Sequence, residues 1–517
     1  MTKDINILWV DDEIDLLKPH ILFLQSKGYK VLTASNADTG LSLAAKNDFD
    51  LVFLDENMPG KSGLEILSPL KQILPGVPVI MITKSEEENI MDQAIGSKID
   101  DYLIKPVNPN QVLLSIKKHI DNRRLISEKT TTTYQSEFQQ LGTQINSARN
   151  YTDWVSVYKK LVYWELELEN AANDMTEVFK MQKTEANNEF AKFIKNNYTS
   201  WFAKNAADRP LMSPSVIGQR IIPLLEQGNK VMLIIIDNLR YDQWQIIQPA
   251  ITEFCKIEKE ELYFSILPTA TQYARNSLFA GLMPLEIQKH FPNLWVNDEE
   301  LEGKNMNEEE LLQTQMNRIG SRFKYSYDKI SNQRAAKKLA DNFSNFKNFD
   351  LNVAIFNFVD MLSHARTETE VVKELSKDEA AYRSITLSWF QHSSLLDIIK
   401  EAIQNNMKVV ITTDHGTIKV TNPIKVVGDK RTSANLRYKL GRQLSYNPKE
   451  VYEVLKPADV HLPSINITSS FIFALSHDFF VYPNNYNQFV NYYRNTFQHG
   501  GISMEEMMIP LAVLSSK

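Results

Sequence analysis

The chain has 517 residues, 57 Lys+Arg against 63 Asp+Glu, a net charge of −6 and 43% hydrophobic residues, which is the composition of soluble globular domains and excludes a disordered chain. A single cysteine, Cys255, excludes a disulfide scaffold and points to a reducing compartment. No stretch approaches the ~18 apolar residues of a membrane helix and no secretory signal is visible, so a cytoplasmic protein without membrane association is expected.

From the amino end, residues 5–10, 51–54 and 77–82 are apolar runs of strand length. Helix-length segments at 14–27 and 37–46 lie between them, a pattern of parallel strands covered on both faces. Such sheets gather function at the carboxyl ends of their strands. Here those ends carry Asp11, Asp12 and Glu13, then Asp55, then Thr83, and finally Lys105 and Pro106. Carboxylates meeting at one edge repel each other and suit a hard divalent cation such as Mg²⁺. A neighbouring lysine can hold a transferred phosphoryl oxygen, and a threonine hydroxyl can sense it. Taken singly, each aspartate could be a helix N-cap.

The words Trp9-Val10-Asp11-Asp12-Glu13, Leu54-Asp55-Glu56-Asn57-Met58-Pro59-Gly60, Ile82-Thr83 and Asp101-Tyr102-Leu103-Ile104-Lys105-Pro106 resemble the receiver domain of two-component response regulators. The resemblance covers about residues 1–120 and implies a doubly wound (βα)5 fold. It implies that Asp55 accepts a phosphoryl group from a sensor histidine kinase. Asp11, Asp12, Asp55 and the backbone carbonyl of Asn57 would hold Mg²⁺, and Thr83, Tyr102 and Lys105 would form the switch.

Residues 121–205 change character: Gly142 is the only glycine or proline between residue 121 and Pro210. Tyr151, Trp154, Tyr158, Leu161 and Val162 recur at helical spacing, as do Phe190, Phe193, Ile194 and Trp201. A central helical bundle is expected, its aromatic stripe forming helix–helix core. No helix-turn-helix pattern supports a DNA-binding output.

From residue 206 to 517 a larger α/β alternation resumes. The run 231–236 ends at Asp237, 353–359 at Asp360 and 409–413 at Asp414, so three buried strands are expected each to deliver an aspartate. Asp360 and His364 are one helical turn apart, His415 follows Asp414, and His499 precedes two glycines. Three carboxylates and three imidazoles suit Zn²⁺ or Mn²⁺ better than Mg²⁺, and six ligands suffice for a metal pair that clamps a phosphoryl displacement. Thr271, following a strand and opening a helix, lies at a positive dipole end; metal-bound, it is a credible nucleophile, and taken alone it could be an N-cap.

These words resemble the alkaline phosphatase superfamily, in particular its PglZ branch, through Asp237-Asn238-Leu239-Arg240-Tyr241-Asp242-Gln243-Trp244 and His499-Gly500-Gly501-Ile502-Ser503-Met504-Glu505-Glu506. Pro268-Thr269-Ala270-Thr271 through Gly281-Leu282-Met283-Pro284 also resembles the nucleotide pyrophosphatase/phosphodiesterase branch. The resemblance implies two Zn²⁺: one on Asp237, Asp414 and His415 with Thr271 as the bound nucleophile, the other on Asp360, His364 and His499. The phosphodiesterases of the family carry a phosphate-binding asparagine three residues after the nucleophile. This chain has Ala274 there, which leaves Arg275 or Asn276 for that contact.

Receiver, helical middle and PglZ domain in this order resemble the response regulators linked to type IX secretion in Bacteroidota. That implies a dedicated kinase, a phosphorylation-dependent homodimer, a sigma factor as partner, and a zinc phosphodiesterase acting on nucleotides or oligonucleotides, cyclic ones included. A phosphomonoesterase, or a signalling scaffold with a structural metal site, remains the alternative. Between residues 419 and 449 eight basic side chains accompany one acid, Asp429, a segment suited to a polyanion, with Tyr438 and Tyr446 placed to stack on bases.

Overall fold

The computed structural model describes residues 5–84, 99–171, 175–203, 208–298, 300, 303–368, 378–429, 432–464, 466 and 468–517, the side chains of 121–129, 170, 171 and 365–368 excepted. The chain divides into two compact units, residues 1–135 with 171–173, and residues 136–170 with 174–517.

In the first unit β1 (Asn6–Val10), β2 (Lys30–Ala34), β3 (Leu51–Asp55), β4 (Val79–Thr83) and β5 (Asp101–Ile104) form one parallel sheet in the order β2-β1-β3-β4-β5. Alternation along the strands splits the core in two. Leu8, Val10, Val52 and Leu54 pack with Ala37, Ala44, Ile66 and Leu70, which places helices Ala37–Ala44 and Gly63–Ile73 on one face. Ile7, Trp9, Leu51 and Phe53 pack with Leu24, Val112 and Ile116, so Lys18–Ser26 and Pro109–Ile116 cover the other. The sheet is therefore doubly wound. The helix expected from residue 14 begins at Lys18, where Pro19 in its first turn favours a start.

The second unit is built on a six-stranded sheet. Its strands are β6 (Val231–Ile236), β7 (Cys255–Phe264), β8 (Tyr325–Ile330), β9 (Leu351–Phe356), β10 (Lys408–Thr412) and, after seven short strands, β18 (Met508–Ser516). The short ones are β11 (Ile418–Lys419), β12 (Asn422–Lys425), β13 (Tyr438–Arg442), β14 (Val451–Val454), β15 (Ser469–Ala474), β16 (Asp478–Val481) and β17 (Phe497–Gln498). The order is β7-β18-β10-β6-β9-β8; β10, β6, β9 and β8 run parallel, and β18 lies antiparallel between β10 and β7. All six residues of β6 and of β9 are buried, which explains the unbroken apolar sequence of β6 and the near-apolar sequence of β9, whose one polar residue, Asn352, gives its amide N–H to the Phe346 carbonyl.

Residues 151–170 of helix Tyr151–Ala171, and helix Thr176–Asn197, belong to this same unit. The aromatic stripe is core, and it reaches beyond helix–helix packing: Trp154 meets Phe190 edge-on at 5.4 Å, and Trp201 meets Phe264 of β7 at the same distance. Charges lock the contact. Arg383 pairs with Glu165 at 2.9 Å, with Asp242 at 2.8 Å and with Glu169; Lys183 pairs with Glu165 at 2.8 Å and Glu505 at 3.1 Å. Asn187 donates to Glu505 at 3.0 Å and accepts the Met504 backbone N–H at 2.9 Å.

Candidate metal centres and phosphoacceptor

At the carboxyl edge of the first sheet, Asp11, Asp12 and Asp55 offer oxygens within 4.8 Å of one another. Lys105 Nζ lies 3.0 Å from Asp11 and 3.1 Å from Asp55. Asp11 and Asp55 are buried and Asp12 is exposed, so the cluster opens to solvent on one side. Burial, followed by repulsion from Asp11, pushes the Asp55 carboxyl up to about 6 against the pull of Lys105. The Thr83 hydroxyl is buried and donates to Glu56, the neighbour of Asp55. Tyr102 is exposed, and Asn57 follows β3 by two residues.

The second unit assembles its six predicted ligands in two adjoining triads, Asp237–Asp414–His415 and Asp360–His364–His499, each with donor atoms within 4.8 Å. Asp237 directly follows β6 and Asp414 follows β10 by two residues. Asp360 arrives differently from the expectation. Strand β9 stops at Phe356, and Asp360 lies in the first turn of helix Phe358–Glu368, which carries His364 one turn on. The run 353–359 reads as one strand because the helix also opens with apolar residues, the partly exposed Phe358 and the buried Val359. The triads meet where the rings of His415 and His499 stack, 4.3 Å apart. Asn238, in the left-handed region at φ 66°, turns its amide back to Ser363 at 3.2 Å and Asp360 at 3.4 Å.

Second contacts fix the histidines. His415 Nδ1 donates to the Gly416 carbonyl and His499 Nδ1 to the Thr269 carbonyl, both at 3.1 Å, which leaves each Nε2 a lone pair directed to the centre. Burial pushes both imidazoles below their ordinary value, His499 the further, with the charges of His415 and His364 adding to it. Burial pushes Asp237 up to about 6, with Asp414 adding repulsion, and Asp360 likewise to about 6, with Asp237 adding repulsion. Asp237 Oδ1 and Asp414 Oδ2 are buried without a hydrogen-bond partner. Neutral imidazoles beside orphaned carboxylate oxygens are a donor set that fits a divalent cation such as zinc. His364 is exposed and leaves the second triad open.

Thr271 is the first residue of helix Thr271–Ala280, with Ala270 rather than Thr271 at the cap position. Its hydroxyl lies 3.1 Å from His415 Nε2. Arg275, one turn on and fully buried, joins Asp237 at 2.7 Å and Glu308 at 2.7 Å, and its Nη2 has no hydrogen-bond partner. Asn276 gives its amide N–H to the Lys304 carbonyl at 3.0 Å. Gly416 is required where it stands: a Cβ there would lie 2.0 Å from the Glu505 carbonyl oxygen. Glu506 accepts from the Gly501 N–H at 2.9 Å and from Arg437 at 2.6 Å, holding the loop after His499.

Three of these residues carry little sequence signal. Asn238 stands inside the motif that identifies Asp237. Glu308 lies 33 residues from its partner Arg275 in an acidic run, and Glu506 pairs with Arg437 across 69 residues. Of the basic segment, Lys425, Arg442 and Lys449 are exposed and Lys419 is partly exposed, whereas two members are buried. Arg437 is buried on Glu506, and Lys439 is buried with its ammonium on the Ser433 carbonyl at 2.9 Å. Tyr438 is buried with its hydroxyl on Asp298, so it has no free face for a base; the Tyr446 hydroxyl donates to Glu453. Lys430 and Arg431 lie outside the described residues.

Comparison with known families gives three matches in chain order. Residues 7–117 match the response regulator receiver domain, 124–202 the PorX response regulator linker domain, and 216–514 the BREX system PglZ alkaline phosphatase-like domain. Together they make the architecture of PorX-type response regulators. The chain is 32% identical over 116 residues to the transcriptional regulatory protein ResD of Bacillus subtilis, 22% of this chain and 48% of that one. It is 33% identical over 123 residues to the alginate biosynthesis transcriptional regulatory protein AlgB of Pseudomonas aeruginosa, 24% of this chain and 27% of that one. The chain thus spans about half the length of these relatives or less. Among solved structures, the Methanospirillum hungatei CheY-like receiver is 31% identical with TM-score 0.23, covering 23% of this chain and 96% of that one. Vibrio cholerae CheY4 is 27% identical with TM-score 0.22, covering 23% and 99%.

Proposed function

We infer the activity from a plain premise: this chain belongs to the family of PglZ alkaline phosphatase-like proteins, and a response regulator receiver precedes that domain. Our reading is a response regulator, phosphorylated on Asp55, whose effector is a phosphodiesterase acting on nucleotide or oligonucleotide substrates. The observation that carries it is the Thr271 hydroxyl, 3.1 Å from His415 Nε2 at the meeting of two ligand triads.

In this reading Asp237, Asp414, His415 and Thr271 hold one zinc ion, and Asp360, His364 and His499 hold the other. Bound there, the pair would supply the acidity that frees the Thr271 hydroxyl of its proton and the positive charge that meets the phosphoryl oxygens. The remaining work falls to the chain. Thr271 Oγ1 attacks phosphorus; its bond to phosphorus forms as the bond to the leaving alcohol breaks, and water later releases the phosphoryl group. Helix Thr271–Ala280 points its positive end at that group. Arg275 favours the ionised form of Asp237, and the two N–H groups of its Nη2 are left to give a phosphoryl oxygen where Ala274 has none. Asn276, its amide already engaged, is the weaker candidate for that contact.

In the receiver, Mg²⁺ on Asp11, Asp12, Asp55 and the Asn57 carbonyl would assist phosphorylation, with Lys105 as counter-ion and Thr83 and Tyr102 as the switch. The PorX-type order of domains supports a PorY-like sensor histidine kinase as phosphodonor, a sigma factor as partner, a phosphorylation-dependent homodimer and a role in type IX secretion. Light scattering with and without beryllofluoride tests the dimer: a doubled mass is expected, and a constant mass refutes it. Activity is tested by offering zinc-loaded protein bis(p-nitrophenyl) phosphate and p-nitrophenyl phosphate. The reading predicts faster release from the diester; release from the monoester alone would make the protein a phosphomonoesterase.

A further inference from the structure

Between Phe264, the last residue of β7, and Thr271 the chain leaves the sheet, and its buried backbone must find partners outside the strand ladder. The Ser265 N–H donates to the Met507 carbonyl at 2.7 Å, and the Ile266 N–H to the Ser213 hydroxyl at 3.2 Å. The Leu267 N–H donates to the Tyr198 hydroxyl at 2.8 Å. Pro268 has no N–H to give, and the Ala270 N–H turns back to the Pro268 carbonyl at 2.8 Å. Thr269 ties the other end of the loop to the metal ligands: its carbonyl accepts from His499 Nδ1, and its hydroxyl accepts the Gly500 N–H and donates to the Gly501 carbonyl, both at 3.0 Å. The loop that sets Thr271 is thus gripped from two sides, and Tyr198 is the grip on the side away from His499.

Tyr198 opens the short helix Tyr198–Phe202, within the residues matched to the linker domain and outside those matched to the PglZ domain. It stands 69 residues from Leu267 in the chain. Its ring is buried and meets Trp201 edge-on at 5.6 Å and Phe202 at 5.2 Å, so packing fixes where the hydroxyl lies. Burial pushes the phenol above its ordinary value; it stays neutral, with a lone pair for the Leu267 N–H. Phenylalanine would fill the same space. What tyrosine adds is the acceptor, and its loss would strand a buried N–H close to the nucleophile. A shift of about 1 Å at a reacting atom can cost roughly a hundredfold in rate.

We propose that Tyr198 is a positioning residue for Thr271, through which the helical middle holds the nucleophile loop in place for attack. The proposal rests on the phosphodiesterase reading and adds to that site a residue from outside the effector's own stretch of chain.

The test compares the zinc-loaded full chain with Tyr198→Phe and Tyr158→Phe. The second variant is a matched control. It also removes one buried hydroxyl from the helical middle, but one without a hydrogen-bond partner among the described residues. With bis(p-nitrophenyl) phosphate, Tyr198→Phe is expected to lower kcat by about ten- to a hundredfold, with KM and bound zinc unchanged, and Tyr158→Phe to leave kcat at the wild-type value. An unchanged kcat in Tyr198→Phe, an equal fall in Tyr158→Phe, or a fall that follows lost zinc overturns the proposal. Amide hydrogen exchange of residues 264–271 is read on the same samples, and should quicken by about tenfold in Tyr198→Phe alone. Unchanged exchange overturns the proposal whether or not the wild type turns over. Quickened exchange in a wild-type background without turnover removes the phosphodiesterase reading and leaves the hold of Tyr198 on the loop.

Discussion

The receiver and the effector each bring three carboxylates to the carboxyl edge of a parallel sheet, and they neutralise them differently. In the receiver the compensating cation is Lys105, at the rim of a cluster whose Asp12 faces solvent. In the effector it is Arg275, wholly buried between Asp237 and Glu308, and imidazoles take the remaining places. A lysine is a mobile point charge that can follow a phosphoryl group; a buried arginine is a fixed fork. The first arrangement suits a site whose charge changes with phosphorylation, the second a site whose ligands must stay in place.

The sharpest way to break that contrast is to delete each cation. Arg275→Ala strands two buried carboxylates and should lower effector stability by about 3–5 kcal/mol, read as the loss or steep fall of its denaturant midpoint. Lys105→Ala, with water at hand, should lower receiver stability by only about 1–2 kcal/mol. Similar losses at the two positions would refute the difference in role.

Metal removal comes next. Chelation should lower the effector melting temperature, since zinc held a hundredfold above its Kd adds about 2.7 kcal/mol per site, and should leave the receiver transition unmoved. A chelator that shifted only the receiver transition would invert the assignment.

The smallest effect concerns a charge outside both sites. Burial pushes the Lys439 ammonium down to about 8, so the folded protein loses that proton before the unfolded chain does. The unfolded state then binds more protons between about pH 8 and the ordinary lysine value, and stability contributed by this group rises with pH across that window. Lys439→Met should stabilise by about 1 kcal/mol at pH 7, offset by the lost bond to Ser433, and the gain should fade above pH 8. A gain that grows above pH 8 would contradict the sign.

What the sequence made legible follows from physics. Strands such as 231–236 are buried on both faces and read as continuous apolar runs, and the ligands sit at their ends or one helical turn on. The strand–helix break at Asn357 was not legible, because Phe358 and Val359 resume the apolar run directly after it. Nor was the attachment of the helical middle to the effector. It depends on Glu165 and Glu169 meeting Arg383, 218 and 214 residues away, and on Lys183 meeting Glu505 far along the chain, and periodicity reports a polar face without naming what faces it. The same holds for Glu308 behind Arg275 and for the burial of Arg437 and Lys439 inside a stretch that reads as a basic segment suited to a polyanion.

The most direct measurement counts zinc and turnover on the same samples of wild type and Thr271→Ala, with bis(p-nitrophenyl) phosphate as substrate. The account predicts two zinc ions per chain in the wild type, largely retained metal in the variant, and a loss of at least ~1,000-fold in turnover. Undiminished turnover in Thr271→Ala with metal bound would contradict it, because the threonine would then not be the nucleophile around which the two triads are arranged.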